Sequence, residues 1–213
     1  MRFIYMWAYR SANYLVKHQN ESNEKRRVYY YGFQVIFGEL MKLIILIIAS
    51  LLLGTLRATM ITALAFAFLR RTAGGYHMDT YGKCMAVTLG LFLFSGIIAQ
   101  YAYQGWSVVH ILILIMTTFI VSLLVIIKWA PADTPNKPIT NPEKIRKFKR
   151  QSIILIVFWL IFMMFMSYYK QQILIIAACL GVLLESFTIA PAGYRFFNWI
   201  SGLPKKGAVS KQG

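Results

Sequence analysis

Apolar residues come in long runs along this chain, at about 43–56, 58–69, 85–103, 107–127, 152–169 and 173–190. A helix that crosses a bilayer needs roughly 20 predominantly apolar residues, so the last four runs predict spans. The first two are short and are split by Gly54 and Arg57. Joined into one helix they would carry an arginine near the middle, which is costly unless it faces protein or water. They are expected either to cross as an out-and-back pair or to form a re-entrant hairpin buried in protein. Ahead of them, Phe3, Trp7, Tyr14 and the run Tyr29, Tyr30, Tyr31 lie among basic residues, the pattern of an amphipathic helix held at headgroup level. The predicted fold is all-α: a polytopic membrane helical bundle of about six segments behind an N-terminal interfacial helix. It is expected to form a single membrane domain over residues 1–213, with an interfacial arm at 1–40, segments within 43–190, a basic loop at 128–150 and a tail at 191–213.

Charge orients the pattern. Lys17, Lys25, Arg26 and Arg27 precede the first run, Arg70 and Arg71 follow the second, and seven basic residues occupy 128–150, while the connections near Gln104 and Gln171 carry only Lys170. If basic loops stay in the cytoplasm, six crossings leave both termini inside and place residues 70–84 at the cytoplasmic face. The stretch "WAPADTPNKPITNPEKIRKFKR" holds four prolines, which exclude a long helix before about residue 142. Lys144 to Arg150 are expected to begin the next helix.

Composition agrees with the membrane class: 58% of the 213 residues are hydrophobic, 14% are charged, and mean hydropathy is +0.57. A net charge of +16 therefore points to anionic membrane lipids or an acidic peptide, with no call for nucleic acid. The start of the chain lacks the apolar core and cleavage site of a signal peptide. Cys84 and Cys179 have no metal-type or disulfide-framework spacing.

The chemistry gathers in "RRTAGGYHMDTYGKC", residues 70–84. A thiol becomes a useful nucleophile when a base or a positive environment favours its thiolate, and an imidazole does both. His77 and Cys84 are sufficient for acyl transfer, but on one straight helix they would lie about 10 Å apart along the axis. If they work together, the backbone has to fold back between them. Gly74, Gly75 and Gly82 permit such a bend, and Asp79 or Thr80 can cap a helix starting there. Cys84 is then expected in the first turns of that helix, where the helix N-terminus and Lys83 favour its thiolate. Arg70 and Arg71 either bind a carboxylate bidentately or are ordinary positive-inside residues. Asp79 can orient His77. A metal held by His77, Asp79 and Cys84 lacks a fourth ligand, so no metal or cofactor is expected. Cys179, among aliphatic neighbours, reads as a packing residue. Glu185 lies in an apolar run and is expected to pair with Arg57 or Arg195, or else to sit wet at the cytoplasmic end of its span.

"RRTAGGYH" followed by a cysteine seven residues after the histidine resembles the signature of the accessory gene regulator protein B family, AgrB. The loop "APADTPNKPI" is similar to a cytoplasmic loop of that family, and the resemblance runs from about residue 30 to 190. It implies a membrane thiol protease of Gram-positive bacteria that processes a small precursor peptide, AgrD, with an amphipathic start and an acidic C-terminal tail. By position Cys84 matches the nucleophile and His77 the general base, while Arg70, Gly74 and Gly75 match motif positions. The implied reaction removes the tail through an acyl-enzyme thioester and leads to a cyclic thiolactone or lactone quorum-sensing peptide. The family also implies a homodimer. The competing readings are a small membrane transporter, with Arg57, Glu185 and the glycine pair on a polar path, and a non-enzymatic scaffold whose basic loop recruits an acidic partner.

Overall fold

The computed structural model describes residues 2–202 other than 20, 77, 79 and 133–140. Among the described residues there are eight helices and no named strand: α1 (Arg2–Gln19), α2 (Asn23–Leu52), α3 (Leu56–Ala73), α4 (Tyr81–Tyr101), α5 (Val108–Trp129), α6 (Pro142–Tyr168), α7 (Gln172–Ile189) and α8 (Pro191–Ser201). The expected all-α polytopic bundle is borne out. Five helices, α2, α4, α5, α6 and α7, are long and apolar enough to cross a membrane. α3 falls outside that set, since its 18 residues include Arg57, Arg70 and Arg71. The chain divides into two compact units, residues 1–49 and 50–213.

In the first unit the residues expected to form an interfacial arm at 1–40 are shared between two helices. α1 ends at Gln19, and α2 then runs without a break from Asn23. The tyrosine run therefore belongs to the long helix. Its later charges are mutually satisfied, with Lys42 Nζ 2.7 Å from Glu39 Oε1 at the i, i+3 spacing, so they do not interrupt it. Tyr9 of α1 meets Tyr30 of α2 edge-on at 6.1 Å.

The second unit is arranged around α7. In α7, 61% of the most apolar window is buried, against 22% in α4, 33% in α5 and 17% in α6, and α3, α4, α5 and α6 all pack against α7. Small residues allow the close approach. A Cβ on Gly181 would lie 2.4 Å from Thr62 O, and Thr62 Oγ1 donates to Ala177 O at 3.1 Å. The small-residue stretch thus packs within this chain against α3.

Cross-helix pairs fix the directions. Arg57 bonds Gln171 at one end of α3 and α7, and Arg70 bonds Glu185 near the other, so these helices run parallel. α5 runs with them: Trp106 O accepts from Gln172, and Ser122 Oγ from Ser186. α4 and α6 run the opposite way, through contacts such as Phe66 with Phe92 and Ser152 with Thr72. Three helices therefore finish, and α4 and α6 begin, at one end of this unit. That end carries Arg70, Arg71, Lys83, Lys128 and the start of α6, and the opposite end carries Arg57 and Lys170. Asn141 caps α6, its Oδ1 accepting from Glu143 N at 2.8 Å with Pro142 at the first position, and Lys144 to Arg150 form its opening turns as expected.

Candidate active site

The helix break demanded by the spacing of residues 77 and 84 is present. α3 stops at Ala73, α4 starts at Tyr81, and Gly74 has φ of 76° with its N–H bonded to Arg70 O. Thr80 is the extended N-cap of α4, although its side chain makes no capping bond. Cys84 is the fourth residue of α4, half-buried, with its N–H donating to Thr80 O and its Sγ 4.0 Å from Thr88 Oγ1. His77 and Asp79 lie outside the described residues, so the separation of thiol and imidazole is not part of this geometry.

The residues leading out of α3 are stitched down by backbone bonds. Ala132 N donates to Ala73 O at 2.8 Å, Gly75 N to Ala132 O at 3.2 Å, and Tyr76 N to Thr188 O at 3.1 Å. The first two form an isolated parallel bridge between Gly74 and Ala132. Both glycines are sterically required here. A Cβ on Gly74 would lie 2.1 Å from Ala132 O. One on Gly75, whose φ is +133°, would lie 2.5 Å from Thr188 Oγ1 and 2.7 Å from Arg70 Nη1.

Arg70 braces this segment from below. Its Nη2 donates to Tyr76 O at 2.6 Å, and its Nη1 reaches Thr188 Oγ1 at 3.2 Å and Glu185 Oε2 at 3.3 Å. Glu185 is fully buried and also accepts from Thr188 Oγ1, while its Oε1 has no hydrogen-bond partner among the described residues. The expected partners for this acid are corrected. Arg57 is at the far end of the bundle on Gln171, Arg195 is exposed on α8, and the carboxylate is dry. Parallel packing of α3 and α7 puts positions 70 and 185 at one level, which distance along the sequence does not reveal. Arg70 is thereby engaged within the protein, whereas Arg71 is exposed. Cys179 is fully buried in the bundle, as a packing residue would be.

Tyr76, Thr188, Ala132 and α8 were not singled out from the sequence. Residues 191–201, read as tail, form a helix whose buried positions Tyr194, Phe197, Asn198 and Ser201 recur at i, i+3, i+4 and i+7. That periodicity was the available signal. α8 covers the break: the Tyr76 ring stacks on Phe197 and meets Tyr194 edge-on, both at 5.3 Å, and Tyr76 Oη donates to Asn198 Oδ1 at 3.0 Å. Lys83 Nζ, expected to serve the thiol, donates to Ser201 O at 2.9 Å.

These features define a class, an α-helical polytopic membrane protein that carries a half-buried cysteine at the start of a helix, beyond a glycine-hinged and arginine-braced break. The chain belongs to the accessory gene regulator B family, whose sequence profile matches residues 8–189. It is 31% identical to the accessory gene regulator protein B of Staphylococcus lugdunensis over 186 residues, covering 85% of this chain and 91% of that one. It is 29% identical to the protein of the same name from Staphylococcus aureus strain MW2, covering 86% and 92%. A putative AgrB-like protein of Clostridium acetobutylicum is 28% identical over 58% of this chain and 56% of its own length. No solved structure matches. The family is one of membrane-associated proteins of accessory gene regulation in quorum sensing.

Proposed function

We propose that this chain is a membrane-embedded cysteine endopeptidase that removes the C-terminal tail of a small precursor peptide. The observation that carries this reading is the break between Ala73 and Tyr81 with Cys84 in the first turn beyond it. A His77–Cys84 pair requires such an interruption of the helix, and Cys84 lies in the opening turn of α4, where a helix N-terminus favours the thiolate. Cys84 Sγ attacks the carbonyl before the tail, the C–N bond breaks, and His77 passes the proton to the leaving amine. The product is a thioester on Cys84. A thiol or hydroxyl of the peptide then displaces Cys84 and closes a thiolactone or lactone. Cys84's own amide is already bonded to Thr80, so the oxyanion is assigned to first-turn amides from Gly82 onward.

The substrate in this reading is an AgrD-like peptide. Its acidic tail faces the basic opening of α6, where Lys144, Arg146, Lys147 and Arg150 are exposed, and anionic lipid headgroups share that charge. By the positive-inside rule the basic end of the second unit is cytoplasmic, and with α3, which runs parallel to α7 along its length, as a sixth crossing both termini are cytoplasmic as well; the family resemblance makes the working enzyme a homodimer. A transporter would need a polar path. A cavity of about 410 Å³ between α3, α6 and α7 is lined by apolar side chains such as Phe68, Trp159 and Val182, which does not favour that reading.

Co-expression with the small open reading frame beside the gene, followed by mass spectrometry of the peptide, tests the proposal. Cys84→Ser and His77→Ala are expected to abolish tail removal at normal membrane levels. Full cleavage by either variant overturns the reading, and intact function in Cys84→Ala would favour a scaffold.

A further inference from the structure

The two tethers that α8 makes to the break fall on special positions. Tyr76 immediately precedes His77, and Lys83 immediately precedes Cys84. Their partners, Asn198 and Ser201, lie one turn apart on α8. Tyr76 is held at every polar group: its N–H by Thr188 O, its carbonyl by Arg70, its hydroxyl by Asn198 and its ring by Phe197 and Tyr194. On the other side of the break, Thr80 offers no side-chain cap to α4, so the Lys83 bond to Ser201 O ties that helix start to α8.

We infer that α8 is a splint that sets the separation of His77 and Cys84, with Tyr76, Asn198 and Lys83 as positioning residues. The inference rests on the proposed pairing of His77 with Cys84. Tyr76 and Lys83 stand seven positions apart in the chain, next to His77 and Cys84, and both are bonded to α8. Holding both flanks on one helix offsets part of the backbone entropy that ordering a catalytic pair costs. Lys83 thus acts through position, and the cation is turned to a carbonyl of α8.

Iodoacetamide is the probe, because alkylation of Cys84 reports activation of the thiol without requiring a substrate. Rates are read by peptide mass spectrometry, which separates Cys84 from Cys179. Tyr76→Phe and Lys83→Met are each expected to slow alkylation of Cys84 by about 2- to 10-fold, the equivalent of one net hydrogen bond. Lys83→Arg, which keeps a donor for Ser201 O, restores the rate. In a His77→Ala background, Tyr76→Phe is expected to have no further effect, since a residue acting through the imidazole loses its influence when the imidazole is gone. Alkylation at the unaltered rate in Tyr76→Phe, or an undiminished effect in the His77→Ala background, overturns the splint. If His77→Ala itself leaves the rate unchanged, the pairing of His77 with Cys84 is what has failed.

Discussion

Gly75→Ala is the sharpest test of the braced break. The new methyl would lie 2.5 Å from Thr188 Oγ1, 2.7 Å from Arg70 Nη1 and 3.3 Å from Glu185 Oε1, at a φ of +133° that side chains rarely adopt. Holding an alanine in that conformation costs about 1–3 kcal/mol. Moving Arg70 aside instead strips a fully buried Glu185 of its cation, and breaking such a pair costs about 3–5 kcal/mol. The variant is therefore expected to lose between about 1 and 5 kcal/mol, depending on which response is cheaper. Gly90→Ala is the matched control: Gly90 is mid-helix in α4 with nothing within 4 Å, so alanine is expected to add about 0.5–1 kcal/mol. Reversible unfolding of the purified protein in mixed micelles measures both. Adding Thr188→Ala to Gly75→Ala removes the nearest clash and should recover part of the loss. A Gly75→Ala protein as stable as the parent refutes the close threading of this segment.

The remaining expectations concern the ion pair, a cap and a titration. Arg70→Met should destabilise by about 3–5 kcal/mol, and the Arg70→Met, Glu185→Leu double variant should regain most of it, because an apolar pair replaces a buried charge; the same unfolding assay decides, and simple additivity would contradict the pairing. Asn141→Ala removes the acceptor for Glu143 N and should raise hydrogen exchange in the first turn of α6 about fivefold, as loss of a cap worth about 1 kcal/mol would. Bonds from Lys25 and Tyr29 hold the Glu21 carboxyl below its ordinary 4.5. A depressed carboxylate stabilises the fold above its unfolded value, and that contribution is lost as pH falls through the folded one, so a Glu21 carbon-13 titration midpoint at or above 4.5 would contradict the contact.

Much of the architecture was legible because apolar length and positive charge are written in consecutive residues. The break after Ala73 was legible for a similar reason: Gly74 and Gly75 stand together, and the spacing of His77 and Cys84 on a straight helix made no chemical sense. What was missed depends on contacts between distant residues. Glu185 finds Arg70 only because α3 and α7 run parallel, and a chain read segment by segment offers Arg57 or Arg195 equally well. The extent of α2 was hidden because its first twenty residues mix tyrosines with Arg26, Arg27, Glu39 and Lys42, a composition that interfacial helices share. α8 was overlooked because a short amphipathic segment after the last long apolar run looks like a tail until the buried positions Tyr194, Phe197, Asn198 and Ser201 are set at helical spacing.

The single rung between Gly74 and Ala132 makes the α4–α5 hairpin a closed ring of chain, fastened at its base by two backbone bonds. Cys84 rides on that ring, and the clasp also holds the residues that lead to position 77. Each bond is worth only about 0.5–1.5 kcal/mol, within reach of what a bound partner can supply. The ring is large, and the clasp that closes it is two hydrogen bonds wide.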